Sequence, residues 1–106
     1  MRGGLYRLRA PRDAREHEQQ GRRYAVVLQA DELAPLSTWI VAPTSTGAPD
    51  RSFRPTIEID GAPTRVVVDQ MAAVDHAVRL GDFAGRPTAG ELRAVDRAVQ
   101  VVLGLR

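Results

Sequence analysis

Two stretches of this chain gather side chains that can do chemistry. "HEQQGRRY", residues 17–24, holds an imidazole, a carboxylate and two arginines where a polar segment runs into an apolar one. "TST", residues 44–46, sets three hydroxyls in a row after the apolar run 38–42. A guanidinium beside a hydroxyl suits a phosphodiester. The first offsets charge that builds on the non-bridging oxygens, and the second donates one further hydrogen bond. Plain structural roles exist for the same residues. Ser and Thr cap turns through hydrogen bonds to nearby backbone, and Arg23 can pair with Glu18 on the surface. Spacing by itself leaves both readings open.

Strands must position these groups. Leu5, Arg7 and Arg9 alternate with Tyr6, Leu8 and Ala10, the two-residue period of a half-buried first strand. Residues 11–21, "PRDAREHEQQG", carry no apolar stripe and read as a long loop, a kind of segment that often carries function. "YAVVLQA", residues 24–30, is continuously apolar and fits a central strand. "STWIVAP" is the third strand, which Pro43 is expected to end, and Trp39 within it reads as core or as a contact between subunits. "FRPTIEID" alternates, with Pro55 pointing to an edge or a bulge. Asp60–Gly61 then signals a hairpin, and "TRVVVDQM" is the returning strand. "AVDHAVRLGD", residues 73–82, holds at most one turn of helix, and His76 in it reads as a solvated loop residue, as does His17. Thr88 and Glu91 form a capping box, after which Leu92, Val95, Val99, Val102 and Leu103 recur at helical spacing until Gly104. About five short strands and one terminal helix predict an α+β, mainly β domain, built as a small coiled sheet or partly open barrel.

The chain has 106 residues, enough for a single domain (1–106) with a modest core. All fifteen basic residues are arginine, and seven of them fall in residues 1–23 against three acids, so the positive field sits at the N-terminal end. Arginine's planar fork prefers phosphate and carboxylate partners. The absence of cysteine rules out disulfides, thiolate metal sites and thiol nucleophiles. Only two histidines, His17 and His76, and no carboxylates at metal spacing argue against a metal-dependent nuclease, so no metal or cofactor is expected. No apolar run approaches the ~18 residues of a membrane span. "MRGGLYRLRA" lacks the apolar core of a secretory signal, and a cytoplasmic location is the expectation.

In order along the chain, "HEQQGRRYAVVLQAD", "VAPTSTG", "TRVVVDQM" and "GRPTAGELRAVDRAVQVVLGL" resemble the MazF/PemK toxin family. That family's pattern runs as a "SEQxGxRP" loop into a "VLVVS" strand, a "VxPxTS" strand end, a "DQ" or "EQ" strand end and a helix closing in "LGL". The resemblance covers nearly the whole chain. It implies a small SH3-like barrel with a C-terminal α-helix, paired as a homodimer. It implies a toxin of a type II toxin–antitoxin system, cleaving single-stranded RNA selectively without a metal. The partner would be a MazE-like antitoxin whose extended C-terminal segment fills the RNA groove. Carried over by position, Arg23 falls on the family's catalytic arginine, and Ser45 or its neighbour Thr46 on the catalytic hydroxyl. His17, Glu18 and Gln19 match the loop that borders the RNA, and Asp69 and Gln70 match the acid–glutamine pair near the site.

RNA brings its own nucleophile, so the implied reaction is attack of the 2′-hydroxyl to leave a 2′,3′-cyclic phosphate and a 5′-hydroxyl. Arg23 would stabilise charge rather than act as base, because a guanidinium does not lose its proton near neutral pH. His17 or Glu18 is then the candidate acceptor of the 2′-hydroxyl proton. Base selectivity would fall to residues 12–20 and 47–54. Three positions depart from the pattern: Tyr24 stands where the family has proline, His17 where it has serine, and Ser45 where it has threonine. Two other readings remain in view. One is a non-catalytic RNA- or protein-binding module on the same barrel. The other is a related toxin that poisons DNA gyrase, whose relatives rely on an aromatic near the C terminus; the ending "VVLGLR" has none.

Overall fold

The structure is a computed structural model that describes residues 2–9 and 23–105. The predicted loop 11–21, with His17, Glu18 and Gln19, lies outside the described residues.

The apolar run "YAVV" forms β2 (Tyr24–Val27), and all of it is buried. Tyr24 and Val26 face the larger core while Ala25 and Val27 face the opposite side, as expected of a central strand. β1 (Leu5–Leu8) and β3 (Thr38–Ser45) flank β2, both antiparallel. β7 (Leu80–Gly85) lies outside β1; β5 (Ala62–Val66) and β6 (Ala72–Asp75) both pair with β3, and β4 (Thr56–Ile59) lies outside β5. The path ends at β4 on one side and β7 on the other without joining, so the sheet coils but stays open.

Seven strands stand where about five were expected. The two that were missed are β6 and β7, which are mostly exposed and show no regular burial period. The third strand also runs further than predicted. Pro43 does not end it; β3 continues through Thr44 and Ser45. Proline is tolerated because β3 changes partner there. Pro43 lies opposite Ala25 of β2, whereas Thr44 and Ser45 pair with Val66 and Arg65 of β5. The Pro43 carbonyl accepts from the Val67 N–H at 2.8 Å, so the residue enters the ladder through the group it has.

The returning strand "TRVVVDQM" breaks at Val66. Val68–Gln70 form a three-residue 3-10 turn before β6 begins. Those residues absorb a register slip along β3, where Thr44 meets Val66 but Val41 meets Ala72. The hairpin signal holds. Asp60 and Gly61 adopt φ of 53° and 79°, two successive left-handed residues that match the twist of paired strands.

α2 (Ala89–Leu103) begins with the predicted capping box. Thr88 Oγ1 accepts from Glu91 N–H at 3.1 Å, and Glu91 Oε1 accepts from Thr88 N–H at 2.8 Å. Gly104 ends the helix at φ 70°. Val95 and Ala98 pack with Val26, Ala42, Ile57, Val66 and Val68, and Val99 and Val102 flank them. Leu103, assigned to the same stripe, is instead exposed. α1 (His76–Arg79) is one turn, capped by the Asp75 carboxylate. His76 is not a solvated loop residue: its ring stacks on Trp39 at 4.1 Å between centroids, and Nε2 lies 3.0 Å from the Leu36 carbonyl oxygen.

Candidate functional site

Arg23, Ser45 and Thr46 line one surface cleft of about 310 Å³. The sheet register accounts for this. Ala25 faces Pro43 across β2 and β3, and two more steps put position 23 opposite position 45. The remaining lining comes from Tyr24, Thr44 and the β4–β5 hairpin, through Ile59, Asp60, Ala62 and Thr64. Arg23 is held by its backbone, whose carbonyl accepts from Leu8 N–H at 2.9 Å. Among the described residues no acid pairs with its guanidinium.

The three hydroxyls of "TST" divide their work. Thr44 is buried, and its Oγ1 accepts from Tyr24 N–H at 3.2 Å while donating to the Tyr24 carbonyl at 3.0 Å. In an unbroken ladder, residues 24 and 44 would exchange backbone bonds. The β3 backbone has turned toward β5 here, so one side-chain oxygen replaces both partners. Ser45 is half-buried, and its Oγ accepts from Gly47 N–H at 3.2 Å. That bond occupies a lone pair and leaves the hydroxyl proton free to donate. Thr46 is exposed at the rim. Ser45 makes the local turn bond of the structural reading, Thr44 instead bridges two strands, and Ser45 and Thr46 also line the cleft.

Asp69 and Gln70 do not line this cleft. They sit on the 3-10 turn between β5 and β6, where Arg54 holds Asp69 in a fork: Nε to Oδ1 at 3.0 Å and Nη2 to Oδ2 at 2.8 Å. These bonds hold the Asp69 carboxyl below the ordinary 3.8, and they hold the Arg54 guanidinium above its usual range. Asp69 therefore contributes stability that is complete above the unfolded value of 3.8 and is lost as pH falls through the lower folded value. Asp69→Asn is expected to lower the thermal midpoint at neutral pH and low salt. The two proteins should converge in the acid range; a constant difference down to pH ~2 would exclude the linkage.

Sequence reasoning missed Asp60 and Thr64 as lining residues. Asp60–Gly61 signals a turn, but only the sheet topology brings that turn to the cleft. Residues 1–103 match the family of PemK-like, MazF-like toxins of type II toxin–antitoxin systems. This chain belongs to the MazF/PemK toxin family.

A toxin-family protein of Mycobacterium tuberculosis, Rv3098A, is 39% identical over 105 residues, covering 99% of this chain and 98% of the relative. MazF from Deinococcus radiodurans has the same fold at TM-score 0.77 and 25% identity, covering 97% of this chain and 94% of that one. An endoribonuclease in complex with its cognate antitoxin from a mycobacterial species superposes at TM-score 0.81 over 100% of this chain and 96% of its own, with 16% identity. At that identity the likeness is one of fold.

Membership of the MazF/PemK family gives the Tyr24 departure a structural meaning. Proline after the arginine has no N–H. Tyr24 has one and gives it to Thr44, while its ring joins the larger core with the Arg7 guanidinium 5.9 Å from the ring centroid. The chain beside Arg23 is thus fixed by a hydrogen bond and burial instead of a ring.

Proposed function

We propose that this protein is a toxin that cuts single-stranded RNA within the cytoplasm. The convergence of Arg23, Ser45 and Thr46 on one cleft is the observation that carries the reading. The RNA 2′-hydroxyl attacks the adjacent phosphorus, and a 2′,3′-cyclic phosphate and a 5′-hydroxyl result. Arg23 grips the non-bridging oxygens and offsets the charge that develops there. Ser45 donates to a phosphate oxygen, since its hydroxyl proton stays free while Gly47 N–H occupies one lone pair. No metal takes part. DNA, without the 2′-hydroxyl, is not cut. Purified protein should cleave a kilobase-length mixed-sequence transcript in excess EDTA; an intact transcript with folded protein in excess would end the nuclease reading.

Ser45→Ala should slow cleavage by about 10²-fold to 10³-fold, the loss of one positioned donor, and Thr46→Ala by much less. Initial rates on the same transcript check this, and a reversed order would move the role to Thr46.

The toxin acts as a homodimer neutralised by a MazE-like antitoxin whose C-terminal segment lies along the RNA groove. The antitoxin-bound structural neighbour supports that partner. The sheet face opposite α2 supports the dimer. Tyr6 packs edge-on against Trp39 and Phe83 at 6.0 and 5.4 Å, yet Phe83 stays 55% exposed. Apolar surface of this kind is ordinarily covered. Phe83→Arg should therefore shift the protein from dimer to monomer in sedimentation velocity, and an unchanged dimer would place the interface elsewhere.

A further inference from the structure

We propose that Asp60 is the catalytic base that takes the 2′-hydroxyl proton, an assignment that rests on the nuclease reading above. Among the described residues, Asp60 is the one acid that lines the cleft with Arg23, Ser45 and Thr46. Asp69, the family-matched acid, has both oxygens committed to Arg54. No described cation pairs with Asp60, Arg23 included. A guanidinium and a carboxylate that share a cleft without joining leave room between them for a group of matching polarity. One ribonucleotide has that polarity, with an anionic phosphate next to a 2′-hydroxyl able to donate a proton.

The turn itself does not require the charge. At φ 53° asparagine or glycine serves as well as aspartate, and Asn-Gly is the most favoured form of this turn. For phosphate binding alone, a carboxylate at this place is a cost, because it repels the ligand. A base makes it useful. Its placement is also rigid: Asp60 follows directly on the buried Ile59, and the pairs Ile59–Ala62 and Ile57–Thr64 hold the hairpin behind it.

The step balances. The 2′-O–H proton passes to the Asp60 carboxylate as the O2′–P bond forms. The P–O5′ bond breaks, and the departing 5′-oxygen takes a proton from water. Asp60 then releases its own proton to solvent.

Asp60→Asn keeps the turn and removes the base, so it separates chemistry from folding. A site is first mapped on the mixed-sequence transcript with wild-type protein. An oligonucleotide of that site then gives single-turnover rates, and the same oligonucleotide with a 2′-deoxy sugar at the scissile nucleotide gives affinity. Asp60→Asn should lower the single-turnover rate by about 10²-fold to 10⁴-fold. The 2′-deoxy oligonucleotide should bind as tightly as to wild type or more tightly, and the thermal midpoint should not fall. An unchanged rate would overturn the assignment and leave the nuclease reading intact. Unchanged rates with altered cut sites would overturn it too, making Asp60 a reader of bases. Loss of rate in Glu18→Gln or His17→Ala, with Asp60→Asn active, would return the role to the loop. If wild-type protein cuts no RNA, both proposals fall together.

Discussion

Arg23→Ala lowers the initial rate of RNA cleavage by about 10³-fold or more and leaves the fold unchanged, the result expected when a transition-state cation is removed from a preorganised site. The backbone and the side chain of Arg23 divide their labour. The Arg23 backbone carbonyl already serves the sheet by accepting from Leu8 N–H, so deleting the side chain costs no ladder bond. The guanidinium has no acid partner among the described residues, so its removal strands no buried charge. It is also the one cation among the described residues that lines the cleft. Arg23→Lys should recover only part of the rate, since an ammonium keeps the charge and loses the fork that matches two phosphate oxygens. Initial rates in EDTA, with circular dichroism and thermal midpoints alongside, check all of this. Wild-type rates in folded Arg23→Ala protein would remove the central residue of the proposed mechanism.

Thr44→Val is expected to destabilise the protein by about 2–4 kcal/mol and to slow cleavage although Thr44 takes no part in the reaction. Valine matches threonine in shape but cannot donate or accept. Both the N–H and the carbonyl of Tyr24 would lose their partner, in a position where Tyr24 and Thr44 are 8% and 2% exposed. Each buried backbone group left unpaired costs about 1–3 kcal/mol. For a domain of this size the thermal midpoint should drop by roughly 10 °C. The chain at Arg23, one residue from the lost bonds, would no longer be fixed, so the rate should fall even well below the unfolding transition. Thr44→Ser, which keeps the hydroxyl, should restore most of both properties. A Thr44→Val protein with wild-type stability would show that the β2–β3 junction is held by other means.

Much of this was legible in the chain. The helix could be read to the residue from Thr88, Glu91 and Gly104, because capping is local chemistry written in adjacent side chains. The burial of β2 followed from its unbroken apolar run, and the hairpin from Asp60–Gly61. The ordered motifs were enough to indicate the family. Tertiary structure decided the rest. Pro43 reads as a strand end, yet β3 passes through it, because a missing donor does no harm where a strand exchanges one partner for another. The weak pattern of β6 and β7 reflects strands whose pairing is backbone and whose side chains mostly face solvent. The fates of Thr44, Ser45 and Thr46, three adjacent hydroxyls, depended on which way β3 bends. Asp60 came to the cleft of Arg23 only through the coiling of the sheet, and Asp69 stands outside the cleft lining, bound to Arg54. Periodicity and capping depend on neighbours within a few residues, which the sequence states directly. A site depends on contacts between residues far apart in the chain, and those exist only once the strands have chosen their partners.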